Sequence, residues 1–486
     1  KPVAQFDIID GIMGEDPVGV NGAHFNRGTD SGLQHSWTDT DVINGQTYYY
    51  AVVAYDRGYH QGLRDEVKAG AEFDPIRESI PLGLLDVAVA ESPAVIQIDE
   101  AGNVVGFDSN TVGVTPRAPA AGFLPAEVDT LIHVQGPGTG RIVVEILDGP
   151  AVQEKSYEIT FTDNAADTAN NGHFERRTTS YSVRDLKTNQ MRINHSLFIR
   201  PEDEGDVIDG FRLRIFNDER IAVIRELSGW TEDSRSTWDL VISDPPTVNK
   251  TKLAADLEIR FFDEIADTSI SGLGGKKTPV PFQVWDITNN VQMEFRFNDR
   301  DNDGKVSPGD EIRPVVLVER NGRLVQLAVW NVKLQEPMEG ESIPPAGGDV
   351  IRIMVSKPFR NGDVFLLKMK PQRADPELAK SQLDNIYVVP NPYIATTPIE
   401  PANNFRLGRG ERRIEFVHLP SQCTIKIFTM SGKLVDTIEH EAPADDGSEF
   451  WNLRTKDGLD AAYGYYIYVV EAPGIGVKRG KFALIK

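Results

Sequence analysis

Apolar and polar residues alternate along most of this chain. Runs such as SYEITFTD at 156–163, DLEIRFFDE at 256–264 and RRIEFVHLP at 412–420 have a period of two, and clusters of Gly, Pro, Asn and Asp separate such runs. This period is typical of strands with one buried face. Helical periodicity is confined to a short stretch at 376–383. The pattern therefore predicts an all-β protein built from tandem antiparallel β-sandwiches.

The first strand-rich region is VINGQTYYYAVVAYD at 42–56, in which an Asn-Gly turn precedes a strand. This stretch resembles the penultimate strand of a fibronectin type III domain, with Tyr48 at the tyrosine-corner position. The last strand of such a domain would be NTVGVTP at 110–116. The resemblance implies a fibronectin III-like domain at 1–118 that is incomplete at its N-terminal end and carries a long insertion at 57–109.

An internal repeat of about 100 residues follows. YEITFTD at 157 matches LEIRFFD at 257, and YSVRDLKTNQ at 181 matches FQVWDITNNVQ at 282. Two copies of one sandwich, at 126–250 and 251–370, explain several matches in the same order, and chance similarity between strands is the alternative. A repeated unit favours spacing and surface display over catalysis, because a catalytic site is usually built once.

The second copy contains the loop DRDNDGKVSPGD at 299–310, whose spacing matches a calcium loop. The predicted ligands are Asp299, Asp301, Asp303, the carbonyl of Lys305, Ser307 and Asp310, with Gly304 at the sharp turn. A shorter Asp stands last where a Glu is usual, so the loop resembles the dockerin type. Because both flanks have strand patterns, we expect a bound Ca²⁺ with a structural role. An acidic surface turn is the alternative.

Charge and cysteine content exclude several classes of protein. The 486 residues include 73 acidic and 51 basic side chains, a net charge of −22, which has the wrong sign for binding nucleic acid. A single cysteine, Cys423, excludes an internal disulfide framework. No apolar run reaches the ~18 residues that a membrane span requires. We therefore expect no nucleic-acid partner and no membrane-spanning segment.

The sequence lacks the common catalytic motifs: HExxH, the nucleophile elbow, the P-loop and the dinucleotide fingerprint. GPGTGR at 136–141 has glycines without the phosphate-loop lysine and predicts a hairpin turn. Dispersed carboxylates leave a glycosidase pair open. Four tryptophans can pack in a core or form a sugar-binding platform: Trp230, Trp238, Trp285 and Trp330. The motifs as a whole predict a chain that is not an enzyme.

The C-terminal region at 386–486 carries an ordered series of motifs. These are Pro390-Asn391-Pro392, Ser431-Gly432-Lys433, Trp451, Gly458, Gly464 with Tyr466, and a basic end. The series resembles the C-terminal sorting domain of proteins exported by the type IX secretion system of Gram-negative bacteria, which has an Ig-like fold. The resemblance implies recognition by the outer-membrane secretion machinery. It also implies cleavage within 371–385, whose polar, extended character suits protease access.

These features predict a non-catalytic structural or adhesion protein, secreted to the extracellular or outer-membrane surface of a Gram-negative bacterium. Surface proteins and glycans are its candidate partners. The alternative is the C-terminal accessory region of a large secreted hydrolase, a protease or a glycoside hydrolase, with its catalytic domain upstream of Lys1. Both hypotheses expect the same folds and differ in what precedes this sequence.

Overall fold

The structure, a computed structural model, describes residues 2–34, 37–60, 86–99, 104–164, 177–271, 277–320, 322–400 and 410–485. Antiparallel strands dominate these residues, so the predicted all-β class is confirmed. The chain divides into two compact units: Lys1–Leu124 together with Arg373–Lys486, and Pro125–Gln372. Among the described residues, no helix is both long and apolar enough to cross a membrane.

The N-terminal part of the first unit consists of short strands joined by turns. They are β1 (Tyr48–Ala51), β2 (Ile96–Ile98), β3 (Val104–Phe107), β4 (Thr111–Val114) and β5 (Phe123–Leu124). β1 pairs with β4 and β2 with β3, both antiparallel. The N–H of Ile43 donates to the Tyr48 hydroxyl at 2.8 Å, the type of contact expected at a tyrosine corner. Residues 61–85 and 100–103 of the predicted insertion lie outside the described residues.

The second unit begins with strands that form a two-sheet sandwich. They are β6 (Glu127–Gln135), β7 (Arg141–Ile146), β8 (Lys155–Asp163), β9 (Thr178–Asp185), β10 (Met191–Ser196), β11 (Val207–Ile208) and β12 (Phe211–Phe216). β11, β12 and β7 form one sheet. The facing sheet has the order β10-β9-β8, and its alternate residues, among them Tyr157, Ile159 and Tyr181, are fully buried.

The strands that follow form a nine-stranded sheet and a small hairpin. They are β13 (Gly229–Trp230), β14 (Asp239–Ser243), β15 (Leu257–Phe261), β16 (Asp267–Thr268), β17 (Pro279–Val280), β18 (Phe282–Asp286), β19 (Val291–Asn298), β20 (Glu311–Arg320), β21 (Arg323–Ala328), β22 (Asn331–Gln335) and β23 (Val350–Ile353). The sheet order is β13-β23-β15-β18-β19-β20-β22-β14, with β21 on β20, and β16 pairs with β17. One hydrophobic core, built from residues of 221–355, lies against this sheet.

The last strand of the second unit returns to its first sandwich. β24 (Val364–Lys370) lies between β8 and β6 and pairs with both. Phe365, Leu367 and Met369 belong to the core of that sandwich. The predicted border between the two sandwiches, after residue 250, does not fit this pairing. The chain that builds the second core lies before β24, and β24 itself belongs to the first sandwich. The nine-stranded sheet and its core, called the second sandwich below, are therefore inserted into the sequence of the first sandwich.

The same four-strand order occurs in both sandwiches. In the first it is β10-β9-β8-β24, and in the second it is β19-β18-β15-β23. The matched sequence motifs lie on equivalent strands, at β8 and β15 and at β9 and β18. Both β9 and β18 end in an aspartate that caps a turn, and each turn has an Asn with positive φ, Asn189 at 60° and Asn290 at 55°.

The C-terminal part of the first unit is a sandwich with its own core. Its elements are β25 (Arg373–Ala374), α1 (Pro376–Gln382), β26 (Tyr387–Val389), β27 (Tyr393–Ile394), β28 (Ile414–Val417), β29 (Gln422–Thr429), β30 (Leu434–Glu441), β31 (Glu449–Trp451), β32 (Gly464–Ala472) and β33 (Gly476–Ile485). One sheet has the order β26-β28-β31 and the other β27-β33-β32-β29-β30. Trp451, Tyr466 and Phe482 pack together inside. Cys423 is buried on β29, and burial raises the pKa of its thiol to about 12.

The segment predicted as an extended cleavage region is folded. It contains β25, which pairs with β5, and α1, whose first turn is capped by the Asp375 side chain accepting the N–H of Leu378 at 2.8 Å. The side chain of Gln382 accepts the N–H of Gly122 at 2.7 Å. Buried Ala379 faces the same glycine. The polar composition of this segment therefore reflects the exposed face of a short helix.

Candidate metal centre

The loop at 299–310 joins β19 to β20. These strands pair antiparallel, and Asn298 lies opposite Glu311 at the base of the loop. At its far end, the N–H of Leu334 on β22 donates to the carbonyl of Asp310 at 3.0 Å. Both ends of the loop are therefore fixed by the sheet, which limits the positions its side chains can take.

Three carboxylates converge at the start of this loop. Oxygens of Asp299, Asp301 and Asp303 lie within 4.8 Å of one another. Asp299 is half-buried and the other two are exposed. Left-handed backbone at Asn302 (φ 59°) and Gly304 (φ 78°) bends the chain between them. The structure thus brings together three of the predicted ligands.

Backbone amides hold these carboxylates in place. The N–H of Gly304 donates to Asp299 Oδ2 at 3.0 Å, that of Lys305 to Asp303 Oδ1 at 2.7 Å, and that of Asp303 to Asp301 Oδ1 at 3.2 Å. Carboxylate oxygens are the hard ligands that Ca²⁺ prefers. Three of them gathered on one ordered turn can hold a divalent cation, and the same proximity makes them repel one another without one.

Ser307 connects the two ends of the loop. Its Oγ lies 3.0 Å from Asp301 Oδ2 and 3.1 Å from Asp310 Oδ2. A hydroxyl has one hydrogen, so it donates to one of these carboxylates at a time. The bond from Ser307 is the largest cause of the lowered pKa of Asp301, so this exposed carboxyl is ionised at neutral pH. An ionised Asp301 is the form that binds a cation.

Asp310 is fully buried, and its two oxygens accept N–H groups of the chain. Oδ1 accepts from Arg300 at 2.8 Å and Oδ2 from Ser307 at 2.9 Å. Burial raises the pKa of Asp310, although these hydrogen bonds act in the opposite direction. Its carboxylate therefore closes the loop onto its own backbone.

The same turn recurs where there is no Asp-rich loop. Asp349 and Asp363 each follow a glycine, as Asp310 does, and all three are buried. In each, one carboxylate oxygen accepts the N–H of the residue three positions earlier at 2.7–2.9 Å, and the other accepts an N–H from outside the turn. This role of Asp310 does not depend on a metal. Recurrent Gly-Asp pairs before strands are the sequence signal that reveals it.

The tryptophans considered for a sugar platform lie in different environments. Trp238 and Trp330 are buried in the core of the second sandwich, and Trp230 packs against that core. Trp285 is half-buried, with the guanidinium of Arg260 5.0 Å from its ring centroid. Core packing thus accounts for three of the four.

Comparisons with known proteins assign no family. No protein-family model matches the chain. A stretch of 52 residues, 11% of the chain, is 38% identical to an amylopullulanase of Thermoanaerobacter thermohydrosulfuricus and covers 4% of that protein. Local identity of this extent leaves most of the chain unmatched.

Two solved structures illustrate the level of structural similarity. PorZ, a surface component of the type IX secretion system of Porphyromonas gingivalis, is 12% identical with a TM-score of 0.18, over 64% of this chain and 43% of PorZ. Dimeric latent PorU of the same bacterium is 12% identical with a TM-score of 0.15, over 74% of this chain and 34% of PorU. The chain spans less than half the length of each of these proteins and of the amylopullulanase. TM-scores this low carry no argument about function.

Proposed function

We propose that this chain is a non-catalytic structural or adhesive component of a bacterial cell surface, exported through its C-terminal sandwich. The observation that carries the proposal is that the C-terminal region has a hydrophobic core of its own, to which two residues of the ordered motif series belong. Trp451 and Tyr466, both named in the sequence series, pack against Phe482 there. A terminal domain with a complete core of its own suits recognition by a secretion apparatus.

The second unit supports a framework role. Its two sandwiches share one strand order, and repetition of a fold unit multiplies surface without multiplying reactive groups. Because the sandwiches are nested, the chain passes between them twice, after β12 and before β24, whereas in a tandem arrangement it passes once. Such a unit is suited to spacing and display.

We further propose that Ca²⁺ stabilises the loop at 299–310. Asp299, Asp301 and Asp303 supply carboxylate oxygens, and Ser307, the carbonyl of Lys305 and Asp310 are the other ligands predicted from the spacing. Asp310 positions the loop through its backbone hydrogen bonds. The ion would offset the repulsion among three clustered carboxylates and hold the hairpin rigid. The convergence of these oxygens within 4.8 Å supports this site.

Calcium titration of the full chain tests the site. We expect one ion per chain by calorimetry, and a rise of thermal stability with Ca²⁺ because the ligand binds only the folded loop. Asp301→Asn should weaken binding by roughly tenfold or more, since it removes a charged ligand. Exposed Asp206→Asn, in the Gly-Asp pair that precedes β11 of the first sandwich, is the matched control and should bind as the parent does.

Asp310→Asn separates support of the loop from coordination. This variant should lower the melting temperature in chelator as well as in Ca²⁺, because the amide keeps one acceptor oxygen for the two part-buried N–H groups of Arg300 and Ser307. Equal calcium binding by the parent and Asp301→Asn would rule out the proposed site.

The accessory region of a secreted hydrolase is the second candidate function. The local 38% identity to an amylopullulanase over 52 residues favours it. The complete gene distinguishes the two hypotheses, since a catalytic domain encoded upstream would support the accessory role. Deletion of 386–486 tests export directly, and the cell-surface proposal expects the truncated protein to remain in the periplasm.

A further inference from the structure

Two arginines face each other on the outer side of the nine-stranded sheet. Arg296 on β19 and Arg313 on β20 are direct cross-strand partners. The neighbours of Arg296 along its strand, Phe295 and Phe297, are buried in the core, so the arginine belongs to the opposite face. Like charges placed directly opposite each other destabilise a sheet.

Two further cations lie beside this pair. Arg300, the second residue of the Asp-rich loop, donates to Glu311 at 2.7 Å, and Arg313 forms an ion pair with the other oxygen of Glu311. Lys333 on β22 is the register partner of Glu311. Arg296, Arg313 and Lys333 lie on three neighbouring strands, and together with Arg300 on the loop they form what we call the basic strip. They bring four positive charges to one face of a chain with a net charge of −22, at the edge of the Asp-rich loop that contains Arg300.

Ion pairs among the described residues compensate only part of the positive charge of the basic strip. Glu311 neutralises one cation only. The Nε of Arg296 donates to the neutral Gln326 at 2.8 Å, and among the described residues no carboxylate lies within ion-pair distance of Arg296 or Lys333. Burial and the charge of Arg313 lower the pKa of Arg296. The fold therefore bears an electrostatic cost here that its own contacts do not offset.

We propose that the basic strip binds an acidic polysaccharide through its carboxylate or sulfate groups. Planar guanidinium groups match both anions with paired hydrogen bonds. Arg296 and Arg313 lie side by side on strands about 4.8 Å apart, and Lys333 lies two residues further along, opposite Glu311, so the three cations follow a diagonal that a linear polymer can cross. The half-buried amide side chain of Gln326 borders the strip, and an amide suits sugar hydroxyls as a donor and acceptor.

An acidic protein surface is the competing occupant. Protein interfaces are usually centred on apolar and aromatic side chains. The strip consists of cations bordered by an amide, which favours a polymer rich in hydroxyl and acidic groups. A protein displayed at a cell surface would also meet a polymer of this kind. The proposed binding by the basic strip does not depend on how the chain is exported.

Binding of the full chain to polygalacturonate, dextran sulfate and neutral dextran tests the proposal. The measurements are made in EDTA so that calcium cannot bridge acidic groups. We expect both acidic polymers to bind and neutral dextran not to bind. Arg296→Gln with Arg313→Gln should weaken binding by roughly tenfold or more and reduce its salt dependence, because it removes two charge-assisted contacts.

The matched control is Arg184→Gln with Arg214→Gln on the first sandwich. It changes the net charge equally and removes arginines that are paired with glutamates, as Arg313 is. It should leave binding unchanged. Arg300→Gln, whose side chain is 57% exposed, is a second test variant that leaves the buried sheet intact, and it should also weaken binding. Circular dichroism confirms that each variant is folded.

Several results would overturn the proposal. One is equal binding of neutral dextran and the acidic polymers. Another is an equal loss of affinity in Arg184→Gln with Arg214→Gln, which would show that overall charge attracts the polymers and that no defined binding site exists. Self-association of the chain that Arg296→Gln with Arg313→Gln abolishes, without preference for acidic polymers, would identify a second copy as the occupant instead.

Discussion

Buried carboxylates in this chain differ in the partners they have. Asp310, Asp349 and Asp363 accept backbone N–H groups with both oxygens, so each stabilises a turn. Glu415 on β28 is only 1% exposed, and its Oε1 has no hydrogen-bond partner among the described residues. Burial raises the pKa of Glu415, although Arg117 and Arg413 act in the opposite direction. Its ionised form therefore costs stability.

The Glu415→Gln variant tests this cost. The folded chain holds the Glu415 proton more tightly than the unfolded chain does. Its contribution to stability is thus fully present below the ordinary pKa of 4.5 and is lost as the pH rises through the raised value. Glutamine imitates the protonated form. We expect the variant to raise the free energy of unfolding by about 1 kcal/mol at pH 7.5 and by less at pH 4.

Urea unfolding at the two pH values measures this difference. Exposed Glu439→Gln on β30 is the control and should show little change at either pH. If Glu415→Gln changes the free energy of unfolding equally at pH 4 and pH 7.5, ionisation of Glu415 does not destabilise the fold.

Spacing along the chain predicted the convergence of Asp299, Asp301 and Asp303, because neighbours within a short loop are constrained by the backbone alone. The role of Asp310 depends on amides of Arg300 and Ser307, which face it only after the loop closes. The pairing of Arg296 with a second arginine depends on the register of β19 and β20. Residue spacing carries no information on register, so neither feature could be predicted.

At the scale of elements, the segment at 117–124 is part of the C-terminal sandwich rather than a linker. The N–H of Ala120 donates to Ala444 and that of Ala121 to Leu419, both at 3.0 Å. Gly122 then lies against α1, where an added Cβ would come within 2.3 Å of the Asp375 carbonyl oxygen and 2.8 Å of Ala379 Cβ. Its φ of 81° also disfavours a side chain.

Gly122→Ala should therefore loosen α1. Lys380 is exposed on this helix, but trypsin needs an extended backbone, so cleavage there reports local opening. Strain of about 1–3 kcal/mol at the glycine should speed cleavage at Lys380 roughly tenfold or more. Mass spectrometry of limited digests measures the rate.

Gly432→Ala provides the matched control for this experiment. Its φ is 83°, yet no atom outside its neighbours lies within 4 Å of an added Cβ. It should leave the cleavage of Lys380 unchanged. Equal cleavage in the parent and Gly122→Ala would contradict the packing of α1 described above.

Alternation predicted most strands because it reflects one buried face, as along Lys155–Asp163. The short helix was also predicted at nearly its observed bounds, 376–383 against Pro376–Gln382. The partners of β24 could not be predicted. Val364–Lys370 has the same alternation whichever sheet it joins, and only the observed pairing shows that it lies between β8 and β6.

At the scale of the whole molecule, nesting determines which pieces can fold. A segment of 126–250 lacks β24, which lies between β8 and β6 and supplies Phe365, Leu367 and Met369 to the core. We expect this segment to show no cooperative unfolding in urea, and 125–372 to unfold cooperatively. Circular dichroism measures both. Cooperative unfolding of 126–250 alone would support the tandem borders instead.

The C-terminal sandwich is proposed to direct this chain to the cell surface. The most direct measurement is the surface exposure of a periplasmic carrier fused to residues 373–486, followed by protease accessibility on intact cells with a type IX secretion system. We expect the fused carrier to become accessible while the carrier alone does not, and we expect this accessibility to be lost in cells without the secretion system. Retention of the folded fusion in the periplasm would show that the C-terminal sandwich does not direct export.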